Sequence, residues 1–176
     1  MKKSKLIVIG FVAVIIIVAI IGIKSQISKE KAKKDTYSNI IIDNYQIKVN
    51  DKYKYEYDEE NNEGHFKNEM FEYSYIYLSD TKYGELITSS SYYTNMGAKE
   101  LDTDIEEVSF GGYEAFINEK KVFYEDVEKE YHLVLILIKV SNDKTFVVQY
   151  EVSYDEDYEE ILEDVKMGLK EIKKLK

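Results

Sequence analysis

The chain has 176 residues and contains no Cys, Pro or Trp; Arg is also absent, so all 24 basic residues are Lys. Without Cys there is no disulfide, thiolate nucleophile, thiolate metal site or cysteine for lipid attachment. Without Arg there is no bidentate fork for phosphate or guanine. The net charge of −10 is unevenly spread: residues 1–34 hold eight Lys and one Glu, and the remainder holds 16 Lys against 33 acidic residues, a net of −17. So acidic a domain repels polyanions, which excludes nucleic acid as a partner and disfavours close adhesion to an anionic lipid surface.

Residues 1–5 form a short basic tail. Residues 6–23, LIVIGFVAVIIIVAIIGI, carry no charge. At 1.5 Å rise per residue they span roughly 27 Å, close to the hydrocarbon thickness of a bilayer. Backbone groups in hydrocarbon must bond internally, so this run is expected to be a transmembrane helix, Leu6 to Ile23, with the lipid bilayer as its partner. It is longer than the apolar core of a cleaved signal peptide, and no A-x-A-like site follows, so an uncleaved signal anchor is expected. Lys2, Lys3 and Lys5 precede it; Lys24, Lys29, Lys31, Lys33 and Lys34 follow it. That count is nearly balanced, but a short basic tail directly before an apolar run resembles a signal anchor. The expected topology is N-terminus inside and domain on the extracytoplasmic side of the cell membrane. Residues 24–39 read as a Lys-rich tether, and 40–176 as one acidic domain of about 137 residues, long enough to bury a core.

Within the domain, Ile40–Ile42 and Tyr45–Val49 suggest a first strand. Alternation at period two follows in Tyr53, Tyr55 and Tyr57, and again in Phe71, Tyr73, Tyr75 and Tyr77, with the turn-like DEENNEG of residues 58–64 between them. This predicts a hairpin or meander with each aromatic set on one face. Residues 82–97 carry helical spacing at Tyr83, Leu86, Ile87, Ser90 and Tyr93. Residues 108–117 read as strand around Gly111-Gly112, which would supply a tight turn or a bulge. Tyr131–Val140 is apolar on both faces and is expected to be covered on both. Ser141–Lys144 then joins it to Thr145–Ser153, whose Phe146, Val148, Tyr150 and Val152 share a face. A closing helix is predicted from the stripe Tyr158, Ile161, Leu162, Val165, Leu169, Ile172 and Leu175, with Ser153 and Glu156 as a capping box and Gly168 beside the stripe for close packing.

These elements predict an α+β fold, an antiparallel sheet with helices packed on it. The strand VSFGGYEAF, the hairpin LVLILIKVSNDKTFVVQYEVS and the run DYEEILEDVKMGLKEI together resemble the PsbP-like α/β/α sandwich over roughly residues 40–175. An NTF2-like or cystatin-like cone is the alternative. The resemblance implies a non-enzymatic binding or assembly module.

Candidate chemistry is sparse. Asp58, Glu60, Asn62 and Glu69 mimic part of a calcium loop, but Glu63 stands where that loop needs Gly, and the flanks read as strands. A solvated acidic turn is expected instead. The acidic run from Asp155 to Glu160 with Glu163 and Asp164 invites a carboxylate-pair hydrolase reading, yet its position on a helix predicts a solvated face. His65 and His132 are far apart, so a zinc pair is not expected. No catalytic residue, cofactor or metal is assigned. The candidate binding surface is Tyr53, Tyr55, Tyr73 and Tyr75, whose rings either stack sugars or an extended peptide on an open sheet face or form core beneath a helix. The reading is a membrane-anchored, non-catalytic module, against the alternatives of a carboxylate-dependent envelope hydrolase or a cytoplasm-facing regulator.

Overall fold

The computed structural model describes residues 36–67, 71–90, 98–153 and 158–176. The predicted membrane helix Leu6–Ile23 and most of the tether lie outside them. Among the described residues no helix is long and apolar enough to cross a membrane.

Among the described residues ten strands and two helices follow in order: β1 (Tyr37–Ile42), β2 (Tyr45–Asn50), β3 (Lys54–Asp58), β4 (Glu63–Lys67), β5 (Phe71–Ser79), α1 (Tyr83–Ser90), β6 (Ala98–Phe110), β7 (Tyr113–Tyr124), β8 (Lys129–Lys139), β9 (Thr145–Ser153), α2 (Tyr158–Leu169) and β10 (Lys173–Lys174). β1 thus begins inside the stretch read as tether. The large sheet has the order β3-β4-β5-β9-β8-β7-β6, and a small one the order β1-β2-β10. Every pairing is antiparallel. Two meanders meet where β5 pairs with β9, and α1 carries the chain from the middle of the sheet towards its far edge.

The sheet separates two apolar faces. On the first, Val134, Ile136 and Ile138 of β8 and Phe146, Val148, Tyr150 and Val152 of β9 pack with Ile42, Tyr45, Ile47 and Val49 of the small sheet and Ile161, Leu162, Val165 and Leu169 of α2. On the second, Leu137 and Val147 pack with Phe116 and with Tyr83, Leu86 and Ile87 of α1. The expectation that β8 is covered on both sides therefore holds.

The β6–β7 hairpin turns at Gly111 and Gly112, with φ of 56° and 84°. Positive φ at both central residues matches the strand twist and favours Gly. The strands around this turn run much farther than the sequence indicates. β6 lies at the sheet edge with residues 99–107 exposed, Val108 half-buried and Phe110 buried. An edge strand with a wet outer face need not alternate, so its pattern is hidden.

The closing helix also departs from its stripe. It ends at Leu169, and Ile172, buried like the stripe, belongs to a short extension that pairs with β2. Gly168 lies against β2 so closely that a Cβ there would sit 2.1 Å from the Lys48 carbonyl oxygen. Nothing larger than hydrogen fits between this helix and this strand. The capping partner Glu156 lies outside the described residues.

Asp164, expected on a solvated face, is instead buried at 8% exposure. It sits one helical turn from Ile161 on the inner side of α2, where the helix leans over the β2–β3 connection. Its Oδ1 accepts hydrogen bonds from Tyr37 Oη at 3.1 Å and Asn50 Nδ2 at 3.0 Å, and its Oδ2 accepts one from Tyr53 Oη at 2.8 Å. Lys52 Nζ pairs with the same oxygen and with Glu160 Oε1 at 2.5 Å. Burial pushes the Asp164 carboxyl up, but the Lys52 ammonium and the Tyr53 and Asn50 donors more than offset it and hold it below the ordinary value.

Two outcomes follow for the full-length chain. Gly168→Ala should cost about 3 kcal/mol despite alanine's better helix propensity, because overpacking against backbone outweighs a gain of about 1 kcal/mol; the urea midpoint measures it. Asp164→Ala should cost about 3 kcal/mol by leaving buried donors and a cation without their acceptor. The folded Asp164 value lies below the unfolded one near 3.9, so its contribution is present above about pH 4 and lost as pH falls through the lower folded value. Urea midpoints between pH 6 and 3 should therefore fall less steeply in Asp164→Asn than in the parent chain.

Candidate functional site: the β3–β4–β5 end of the large sheet

The four tyrosines of the candidate surface do not share a face. Tyr53 is 5% exposed and committed to Asp164. Its ring packs edge-on to Phe71, with centroids 5.4 Å apart. Tyr55 is half-buried against the same core and lies over Gly64, with its ring where a Cβ would stand. Its hydroxyl is buried and finds no hydrogen-bond partner among the described residues, and burial, with a smaller contribution from Tyr57, pushes it up to about 12. Tyr73 and Tyr75 lie on the opposite face, with ring centroids 5.7 Å apart. The expected set Phe71, Tyr73, Tyr75 and Tyr77 is also split. A register shift between Phe71 and Tyr73 places Phe71 opposite Val152, in the first core, and Tyr73 opposite Glu151. One extra residue reverses the side on which a strand's side chains fall. Tyr53 and Tyr55 are therefore core, and Tyr75, at 37% exposure, remains as a surface ring.

The second face around Tyr75 is built in rows. Register places Glu56 opposite His65 and Asp58 opposite Glu63; Glu63 faces Tyr77, and Tyr75 faces Gln149. The next row sets Lys120 beside Leu133, then Glu151, then Tyr73. Asn118, Lys120, Gln149 and Glu151 are all buried. Lys120 Nζ pairs with Glu100 Oε2 at 2.9 Å, and Tyr124 Oη donates to Glu151 Oε2 at 3.0 Å. A strip of polar groups thus runs through the second face beside the α1-covered cluster. The alternation of VVQYEV is legible as strand, whereas residues 118–124 continue β7 beyond the stretch read as strand; that the inward positions of these strands carry Asn, Lys, Gln and Glu goes against the usual burial of apolar types.

His65 is the best-positioned polar group of the exposed end. β4 pairs with β5 in register only at Glu63–Tyr77 and Gly64–Ile76. Beyond them Ser74 replaces ladder bonds: its Oγ accepts from Phe66 N at 2.5 Å and donates to the Phe66 carbonyl at 2.9 Å. His65 Nδ1 lies 2.7 Å from the Ser74 carbonyl oxygen. A carbonyl only accepts, so Nδ1 carries the proton and donates. The Tyr75 ring stands edge-on to the imidazole, centroids 5.3 Å apart. Asp58, Glu63 and His65 each bring one donor atom within 4.8 Å of the other two. Asp58 is oriented by Asn61 Nδ2 at 2.8 Å and by the amides of Glu60 and Asn61, and these donors hold its carboxyl below the ordinary value.

The remaining candidates are dispersed. Glu60 is an exposed turn residue, Asn62 takes a φ of 55° and accepts from Tyr57 Oη, and Glu69 lies outside the described residues. His132 is on the first face, stacked on Tyr158 with centroids 3.7 Å apart, so the sheet stands between the two histidines. Burial, and next the Lys121 charge, lower its basicity. Of the acidic run, residues 155–157 lie outside the described residues, Glu159, Glu160 and Glu163 are exposed, and Asp164 is locked in its clamp.

If Ser74 stitches β4 to β5, Ser74→Ala should cost about 1–2 kcal/mol from one lost acceptor and one lost donor in a buried position. Amide exchange of Phe66 should quicken more than that of Val148 in the sheet centre, and equal protection in the variant would refute the stitch.

No family model matches the chain, and no curated protein matches it. Among solved structures it is similar to cyanobacterial PsbP from Synechocystis, at 12% identity and a TM-score of 0.49, over 79% of this chain and 91% of that one. It is also similar to LpqN of Mycobacterium tuberculosis, a protein involved in cell envelope biogenesis, at 9% identity and a TM-score of 0.45, over 82% of this chain and 87% of that one. Both likenesses concern the fold alone.

Proposed function

We propose that this chain is a non-catalytic binding or assembly module, held at the cell membrane by Leu6–Ile23 and presenting its acidic domain on the extracytoplasmic side. The observation that carries the reading is the second face at its β3–β4–β5 end. There Tyr75 is exposed on a rigid strand, edge-on to His65, with Glu63 and Lys67 on the same side. An aromatic ring flanked by hydrogen-bonding and charged groups, on strands rather than loops, suits recognition of another macromolecule. The hydrolase alternative draws less support. Of the described carboxylates that motivated it, Glu159, Glu160 and Glu163 are exposed on α2 and Asp164 is held in a clamp by its donors. The anchor rests on hydropathy, and the domain's net of −17 makes the apolar segment, with its Lys flanks, the source of membrane attachment.

A photoreactive residue placed at Tyr75 should form a covalent adduct with a partner in native membranes. The same residue at Met167, which is exposed on α2 across the molecule, should not. Equal yields at the two positions, or none at Tyr75, refute the docking face. Protease added to intact cells should remove the domain, and full protection would reverse the topology.

A further inference from the structure

We propose that Asp58, Glu63 and His65 form a binding site for one divalent first-row transition-metal ion, with zinc as the type. The three come from the two strands of one hairpin, and their donor atoms already lie within 4.8 Å of one another. In a tetrahedral zinc site with bonds near 2.0–2.1 Å, donors stand roughly 3.3 Å apart. His65 Nε2 and Glu63 Oε1 are at 3.7 Å, so this pair needs little movement. The Asp58 carboxylate, oriented by Asn61 and the Glu60 amide, already holds a donor within 4.8 Å of both.

The orientation of the imidazole suits a metal ligand. Nδ1–H is spent on the Ser74 carbonyl at 2.7 Å, which turns Nε2 towards Glu63 Oε1 at 3.7 Å. A metal-bound histidine has this arrangement: the far nitrogen donates to a carbonyl, which fixes the tautomer and the ring plane. Tyr75, edge-on at 5.3 Å, fixes the same plane from the side. Two carboxylates directly opposite on paired strands repel each other, and a divalent cation between them removes that cost. Lys67, on the same face, is taken up by Glu56 at 2.6 Å.

The donor set selects the ion class. One imidazole nitrogen and two carboxylates suit zinc and its first-row neighbours, whereas calcium takes six to eight oxygens. Three protein donors leave at least one coordination position for water or another ligand. The site does not depend on whether the Tyr75 face docks a partner, because the ion is held by this chain alone.

The test is a calorimetric titration of Zn²⁺ into the full-length chain in detergent micelles, repeated with Ca²⁺. One Zn²⁺ per chain is expected, with affinity at least tenfold weaker in His65→Gln and in Glu63→Gln, unchanged in His132→Gln, and little heat from Ca²⁺. NMR of the two imidazoles gives a second readout: Zn²⁺ should move the His65 ring signals and leave those of His132. Urea midpoints establish that the variants fold, and Asp58→Asn serves if His65→Gln does not. Absence of Zn²⁺ binding, binding retained in the folded His65 or Glu63 variants, signals moving at His132, or equal heats from Ca²⁺ would each overturn the assignment.

Discussion

The carboxylate of Asp164 is the constraint around which the first face is arranged. An ionised group this deeply placed is tolerated only when its oxygens are filled, and here three neutral donors and one ammonium fill them. Those donors come from β1, from the end of β2 and from the connection into β3. Helix α2 is therefore fixed to the small sheet and to the entry of the large sheet by a single side chain. The approach of Gly168 to the Lys48 carbonyl, one turn later, is the steric counterpart of this polar contact. Charge pairing sets which part of the helix meets β2, and the missing Cβ sets how near it comes.

Much of the frame is legible in the amino-acid order because it follows from burial alone. The two-sided apolar run of β8, the alternation of β9 and the stripe of α2 each report how many faces of an element meet a neighbour. What cannot be read locally has a nonlocal cause. The clamp turns an acidic position in an acid-rich helix into a buried one, and nothing within α2 announces the Tyr, Asn and Lys more than a hundred residues earlier that make this possible. The bulge before Tyr73 reverses a face through one inserted residue. The exposed edge strand β6 has too few buried positions to impose a period. The helix stripe runs on through Ile172 because burial continues after the helix ends, and periodicity records burial rather than backbone conformation.

The same reasoning applies to the candidate site. Aromatic alternation pointed to the right strands, but which rings are core depends on the pairing partner. Tyr55 fills the space above Gly64, and Tyr53 is drawn in by Asp164. Asp58, Glu63 and His65 fall at separations of five and two residues, which carry no known spacing signature. Their convergence exists only once the hairpin register is set. His65 is further tied to Ser74, on a third strand, through a bond that requires the β4–β5 ladder to part.

The pairing of β10 with β2 bears on the order in which the core forms. Lys173 and Lys174 sit opposite Gln46 and Tyr45, Leu175 N donates to the Asn44 carbonyl, and Gly111 N donates to the Lys170 carbonyl. Contacts separated by about 130 residues are slow to form, since loop closure must precede their reward. Strand β2 has β1 as a near neighbour in sequence, but its second strand partner and the helix α2 packed on it come from more than a hundred residues later. The first core therefore closes only once residues from both ends of the described domain have met.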